Sequence, residues 1–275
     1  MTVPTAAKPT ERLNRLKLKR FSGLHYIAQA HGWPFVLSWS HRIAGIILVV
    51  YVWLHMYTLS LLLSPELFNA KMKLFRFFLF VVLEWALAIP VIFHALNGGR
   101  MILYESFGNR NDALAIRWML SLGAIYVLFV GLMMIRGDQV ASPIFFWLGM
   151  LIFSLGLSYG AARRIWHTGN STAWKLQRIS GSFLIIMIPA HLLFMHLQPS
   201  IGHDAARIHE RMRYVMIKLV DFFLVAATLY HGGYGIISII KDYTASRWLQ
   251  VAGTCLTIVV MLFFSWMGIR LILAV

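Results

Sequence analysis

The sequence predicts an all-α integral membrane protein of about seven transmembrane helices, arranged as two parallel three-helix repeats joined by an extra helix. Three observations predict it. The chain is 59% hydrophobic and 13% charged with a mean hydropathy of +0.71, too apolar and too poor in charge for a water-soluble domain. Seven stretches, about 43–63, 75–103, 116–135, 144–162, 179–197, 215–240 and 249–274, reach the roughly 20 apolar residues a helix needs to cross the hydrocarbon core. Finally, the two halves of the chain carry the same pattern of polar residues at the same spacings.

In the first half Arg42-Ile43-Ala44-Gly45 opens a span, His55 follows, and the next span carries His94, Gly98 and Glu105. In the second half Arg178-Ile179-Ser180-Gly181 opens a span, His191 follows, and the next carries His231, Gly235 and Asp242. Arginine to first histidine is 13 residues in both copies, second histidine to glycine 4, second histidine to acid 11, and arginine to second histidine 52 and 53. Three helices alone would leave the second copy upside down, and the extra span at 144–162 restores its direction, so the copies are expected to be parallel. The resulting division is a basic cytoplasmic segment 1–42, a first three-helix repeat 43–136, a connecting transmembrane helix 137–164 and a second repeat 165–275.

The net charge of +15 does not point to nucleic acid, because the basic residues sit at the ends of apolar spans rather than along one soluble face. With a cytoplasmic N-terminus, sixteen of the 25 Lys and Arg fall on the inner side, from Lys8 through Arg42, Arg100, Arg163 and Arg247. The positive-inside bias thus favours that orientation. The first 40 residues are polar and basic with no apolar segment ahead of the first span, so no cleaved signal is expected. The single cysteine, Cys255, excludes a self-contained Cys-ligated iron–sulfur cluster, a c-type haem attachment motif and an internal disulfide; such a centre would belong to a partner.

Of eleven histidines, four lie well inside apolar spans at repeat-related positions: His55, His94, His191 and His231. An imidazole in a bilayer needs a partner, and ligation of a haem iron through one ring nitrogen satisfies it while the other nitrogen binds a backbone or side-chain acceptor. Counting inward at about 1.5 Å per residue puts His94 and His231 at about 14 Å from the inner end and His55 and His191 at about 18 Å. Depth therefore pairs His94 with His231 and His55 with His191 as axial ligands of b-type haem, at least one haem and at most two. Gly98 and Gly235, one turn from His94 and His231, leave room for a flat macrocycle, and Gly45 and Gly181 are expected to serve the other pair. Arg100 is placed to meet a haem propionate. His25, His31, His41, His167, His196, His203 and His209 are expected to be mostly solvated at interfaces or in loops. Glu84, deep in a span, reads either as a proton-path acid or as a hydrogen-bonding partner of a facing helix.

These residues resemble the membrane anchors of succinate dehydrogenase and fumarate reductase (succinate:quinone oxidoreductases). Ser38-Trp39-Ser40-His41-Arg42-Ile43-Ala44-Gly45 is similar to the S-x-x-H-R-x-[SA]-G entry of the family's larger anchor, and His94 through Arg100 to its haem-ligand motif H-x-x-x-G-x-R. His231 through Gly235, with Asp242-Tyr243, is similar to the smaller anchor's H-x-x-x-G and D-Y. The chain thus resembles both anchors fused, as a cytochrome b of respiratory complex II. The resemblance implies haem ligation by His94 and His231 and a quinone site near the cytoplasmic surface from Ser38, Arg42, Asp242 and Tyr243, with Arg42 and Tyr243 on the quinone oxygens. A histidine on each of four helices resembles the dihaem branch, which implies two haems. It also implies flavoprotein and iron–sulfur partner subunits, ubiquinone or menaquinone as the electron acceptor, and residence in a bacterial or archaeal cytoplasmic membrane. Two alternatives stay open: a dihaem cytochrome b of another quinone-linked dehydrogenase, such as a formate dehydrogenase, hydrogenase or nitrate reductase, and a haem-free seven-helix transporter or receptor.

Overall fold

A bilayer offers no hydrogen-bonding partner to the backbone, so apolar segments must satisfy their own amides, and helices do so within one segment. The computed structural model describes residues 33–108, 112–139 and 142–275. Its helices are α1 (Trp33–Ser60), α2 (Pro65–Phe75), α3 (Phe78–Phe107), α4 (Asp112–Arg136), α5 (Pro143–Ile165), α6 (Thr172–Leu197), α7 (Pro199–Gly202), α8 (Ala205–Met212), α9 (Val215–Tyr243) and α10 (Arg247–Ala274). Seven of them, α1, α3, α4, α5, α6, α9 and α10, are long and apolar enough to cross a membrane. The protein is an integral membrane protein. Alternation of direction along these seven makes α1 and α6 parallel, and likewise α3 with α9 and α4 with α10, which is the two-copy layout.

The helix ends follow local chemistry. Pro65, Pro143 and Pro199 stand in the first turns of α2, α5 and α7, where a missing N–H leaves no bond unmade. The Ser171 hydroxyl accepts from the Trp174 amide at 3.3 Å and the Asp204 carboxylate from the Ala206 amide at 2.8 Å, capping α6 and α8. Gly108 ends α3 at φ 67°, a left-handed conformation that glycine adopts without strain. Within spans, the Ser154, Ser182 and Thr257 hydroxyls donate back to the carbonyls of Met150, Arg178 and Gly253 at 2.7–2.8 Å, which satisfies them in hydrocarbon.

The chain divides into two compact units, 1–43 and 44–275. In the first, the described residues begin α1, where the Arg42 guanidinium donates to the Ser38 hydroxyl and the Phe35 and Trp39 rings lie 6.3 Å apart. Residues 1–32, most of the expected basic segment, lie outside the described residues. Helix α1 is already formed at Trp33, the first described residue, ten residues before the apolar stretch at 43: hydropathy marks where hydrocarbon begins, whereas a helix continues into the interface while its backbone bonds hold.

In the second unit α6 is the hub, touching α3, α4, α5 and α9, and half of its span is buried against 11% of α10. The segments that follow the first span of each copy contain short amphipathic helices. Phe68 and Met72 on α2 and Ile208 and Met212 on α8 are buried together with Leu62, Phe194 and Ile217. The Asn69 carboxamide accepts from the Ala205 amide at 3.0 Å and His209 Nε2 donates to the Leu62 carbonyl at 3.2 Å. Because α2 and α8 follow the first span of each copy, the two repeats cap the same end of the bundle with equivalent pieces.

Candidate functional site

Helices α3 and α9 bring His94 and His231 together with ring centres 6.1 Å apart and planes at 89°. Helices α1 and α6 bring His55 and His191 to 6.2 Å at 80°. The four histidines thus form two facing pairs, each with one member from either repeat, as depth alone paired them.

The surroundings of the first pair are repeat-symmetric. A Cβ at Gly45 would lie 3.0 Å from His94 Cε1, and one at Gly181 3.0 Å from His231 Cε1. These two glycines therefore admit the His94 and His231 rings, which corrects the expectation that they serve His55 and His191. The reason is axial distance: each lies ten residues before His55 or His191 on the same helix, about 15 Å away. Beside Gly235 a Cβ would meet nothing within 4 Å, so one turn from His231 the helix face is open; Gly98 stands at the repeat-related position, partly covered. His231 Nδ1 donates to the Gln177 carbonyl at 3.3 Å. A carbonyl only accepts, so Nδ1 holds the proton and Nε2 keeps its lone pair. The buried Gln177 amide approaches that Nε2 at 3.5 Å.

The second pair is enclosed by aromatic rings. Tyr51 stacks on His55 at 5.6 Å, and the buried Trp147 lies 6.0 Å from His191. His191 Nδ1 is buried with no hydrogen-bond partner among the described residues.

Several single residues acquire surroundings that the sequence did not reveal. Arg178 is more than a positive-inside anchor: its Nε and Nη2 bind both oxygens of Glu105 at 2.7 and 2.9 Å, and its guanidinium lies 4.8 Å from the Trp174 ring centre. This pair ties the second copy's first span to the first copy's second span, and Arg42 and Asp242 are its repeat counterparts in sequence. Arg100 donates through Nε to the fully buried Asn97 at 2.9 Å. Glu84 lies 3.5 Å from His196 Nε2, and His196 is 4% exposed. The expectation of a solvated histidine fails there, because α6 carries His196 inside the bundle under the α2 and α8 cap. His203 and His209 are likewise partly buried and bonded to the carbonyls of Pro199 and Leu62; His25 and His31 lie outside the described residues. Ser38 and Arg42 belong to the first compact unit; Asp242 and the half-exposed Tyr243 end α9 in the second. Arg211 on α8 is partly buried, and burial lowers its pKa against the opposing charge of Asp221.

Among the described residues no three His, Cys, Asp or Glu converge as a metal-binding group.

The model of the succinate dehydrogenase/fumarate reductase transmembrane subunit family matches this chain in two copies, over residues 23–133 and 156–266. A stretch of 103 residues is 32% identical to the succinate dehydrogenase 2 membrane subunit SdhC of Mycobacterium tuberculosis, covering 36% of this chain and 74% of that protein. No solved structure matches the chain. Two copies of one family's model, set on two parallel three-helix repeats, make this chain a member of the succinate dehydrogenase/fumarate reductase transmembrane subunit family, with both anchor units in a single polypeptide.

Proposed function

We propose that the protein is the haem b membrane anchor of a succinate:quinone oxidoreductase and passes electrons from a partner iron–sulfur subunit to membrane quinone. In this reading it holds two bis-histidine haems, one on His94 and His231 and one on His55 and His191. The observation that carries it is the separation within each pair. An iron held by two imidazole nitrogens at about 2.0 Å each places the ring centres about 6.3 Å apart, against 6.1 and 6.2 Å here. The open face beside Gly235 and the proton on His231 Nδ1 also suit the group, since a ligating histidine keeps its outer N–H on a backbone acceptor. Among the described residues each pair has no third His, Cys, Asp or Glu beside it, and two imidazoles alone would suit an iron whose other ligands come from a macrocycle.

Bound haem supplies one-electron redox chemistry at each pair. The chain's own residues supply orientation, dryness and charge. The Gln177 carbonyl holds the His231 ring in the tautomer whose Nε2 carries the lone pair, and the Gln177 side-chain amide, 3.5 Å from that nitrogen, would give way to a ligated iron. Gly45 and Gly181 let the first helix of each copy close against the ligand ring and keep water out. On the motif resemblance, Arg42 offers a permanent cation and Tyr243 a phenol donor to the quinone oxygens, where charge develops on reduction. Ser38 orients Arg42, and Asp242 serves as a proton relay or as the counter-charge of Arg42. The dicarboxylate chemistry belongs to a flavoprotein partner, and the N-terminus faces the cytoplasm of a bacterial or archaeal cell.

The deciding experiment is an absorption spectrum of the purified protein, oxidised and dithionite-reduced, with pyridine haemochrome measured against protein. Two b-type haems per chain are expected. A colourless protein from haem-replete cells overturns the reading, and one haem per chain reduces it to a single pair.

A further inference from the structure

We propose that Arg211 is the counter-charge for a propionate carboxylate of the haem at His55 and His191, delivered from the cap rather than from a membrane span. This rests on the reading that the second pair holds haem.

Arg211 comes from α8, one of the short amphipathic helices that close the bundle end, and α8 is fixed by burial of Ile208 and Met212 and by the Asn69 and His209 bonds. Its guanidinium points inward, 5.8 Å from the Phe194 ring centre, with Nη1 3.9 Å from the Met195 sulfur. Phe194 and Met195 follow His191 on α6 by three and four residues, one turn or about 5.4 Å beyond the ligand toward the cap. Arg211 and His191 are within electrostatic reach of each other. A guanidinium stays charged and presents five donors, yet Nε is buried with no partner among the described residues, Asp221 acts on it without forming an ion pair, and a thioether and a ring face are poor acceptors. A guanidinium whose buried Nε lacks a partner among the described residues, standing one turn beyond His191, suits a planar carboxylate. Haem held by His55 and His191 would bring carboxylates on one edge, and Arg211, against Phe194 and Met195 one turn from His191, would hold one of them. The first pair has a different arrangement, because the Nε of its nearby arginine, Arg100, is already engaged by Asn97.

The test uses the full chain, purified with whatever subunits accompany it, as wild type, Arg211→Gln and Arg211→Lys. Each is also made in a His231→Ala background, which leaves the second pair alone. Haem content and midpoint potentials are read by spectroelectrochemical titration. Removing a cation next to a carboxylate favours the ferric state, so Arg211→Gln shifts the redox equilibrium of that haem about tenfold, a fall of about 59 mV for a one-electron couple. The His94/His231 haem keeps its potential, and Arg211→Lys keeps most of the wild-type value. Selective loss of the second haem in Arg211→Gln, with retention in Arg211→Lys, supports the same conclusion. Unchanged potentials with both haems present overturn it, as does an equal effect of Gln and Lys, which marks a packing role. Absence of haem from the second pair in the wild type refutes the underlying haem reading instead.

Discussion

Gly235→Ala separates a haem face from a lipid face. A Cβ at this position meets no protein atom within 4 Å, so the substitution causes no clash within the chain itself. Replacing a mid-helix glycine of α9 by alanine gains about 0.5–1 kcal/mol of helix stability. The haem-free protein should therefore melt at the same temperature as wild type or a few degrees higher. If the macrocycle lies flat against this face, the added methyl overpacks the site at a cost of about 1–3 kcal/mol, a loss of roughly 5- to 150-fold in haem affinity at that pair. The assay is titration of haem into apo-protein in detergent, following the low-spin Soret band, alongside thermal unfolding of the same samples. Raised or unchanged melting with weakened uptake of one haem is the expected signature. Wild-type affinity for both haems would refute the reasoning, because it would place lipid rather than porphyrin beside Gly235. Gly181→Ala is the contrasting control. Its Cβ would stand 3.0 Å from His231 Cε1, so the ring must retreat by a few tenths of an ångström even in the apo-protein.

Other consequences can be measured on the same material. His94→Ala and His231→Ala should each remove one and the same haem, leaving one per chain by pyridine haemochrome; a full complement in either variant breaks that pairing. His55→Ala and His191→Ala should remove the other, with the His94/His231 spectrum intact, and loss of both haems together would argue against two independent sites. The Arg178–Glu105 pair has good bidentate geometry, but its side chains are 21% and 33% exposed. Solvent screening then limits its coupling in an Arg178→Gln/Glu105→Gln cycle to about 0.5–1 kcal/mol, and a coupling of several kcal/mol would show that the pair is more buried in the membrane than here. Arg42→Leu should lower quinone reduction about a hundredfold with electron delivery to an artificial acceptor at the partner subunit unchanged; equal loss of both activities would make Arg42 an assembly residue.

The seven spans and the repeat were legible because the bilayer simplifies the folding problem. Apolar length alone makes a helix obligatory, and direction must alternate, so the order and direction of the spans carrying His55, His94, His191 and His231 follow from the sequence. Rotation about each helix axis does not follow from hydropathy when both lipid and protein neighbours are apolar. That is why Gly45 and Gly181 were matched to the wrong pair: which side of a span faces which neighbour is decided by helix packing. The cap was hidden for a related reason. Phe68/Met72 and Ile208/Met212 are short amphipathic signals between much stronger ones, and only their burial against α6 and α9 turns Arg211 inward and encloses His196 beside Glu84. Sequence by itself determined which segments are long and apolar enough to cross a membrane and that they form two copies; the tertiary structure decided which groups meet, because lateral contacts depend on interlocking side-chain shapes that a one-dimensional hydropathy pattern does not contain.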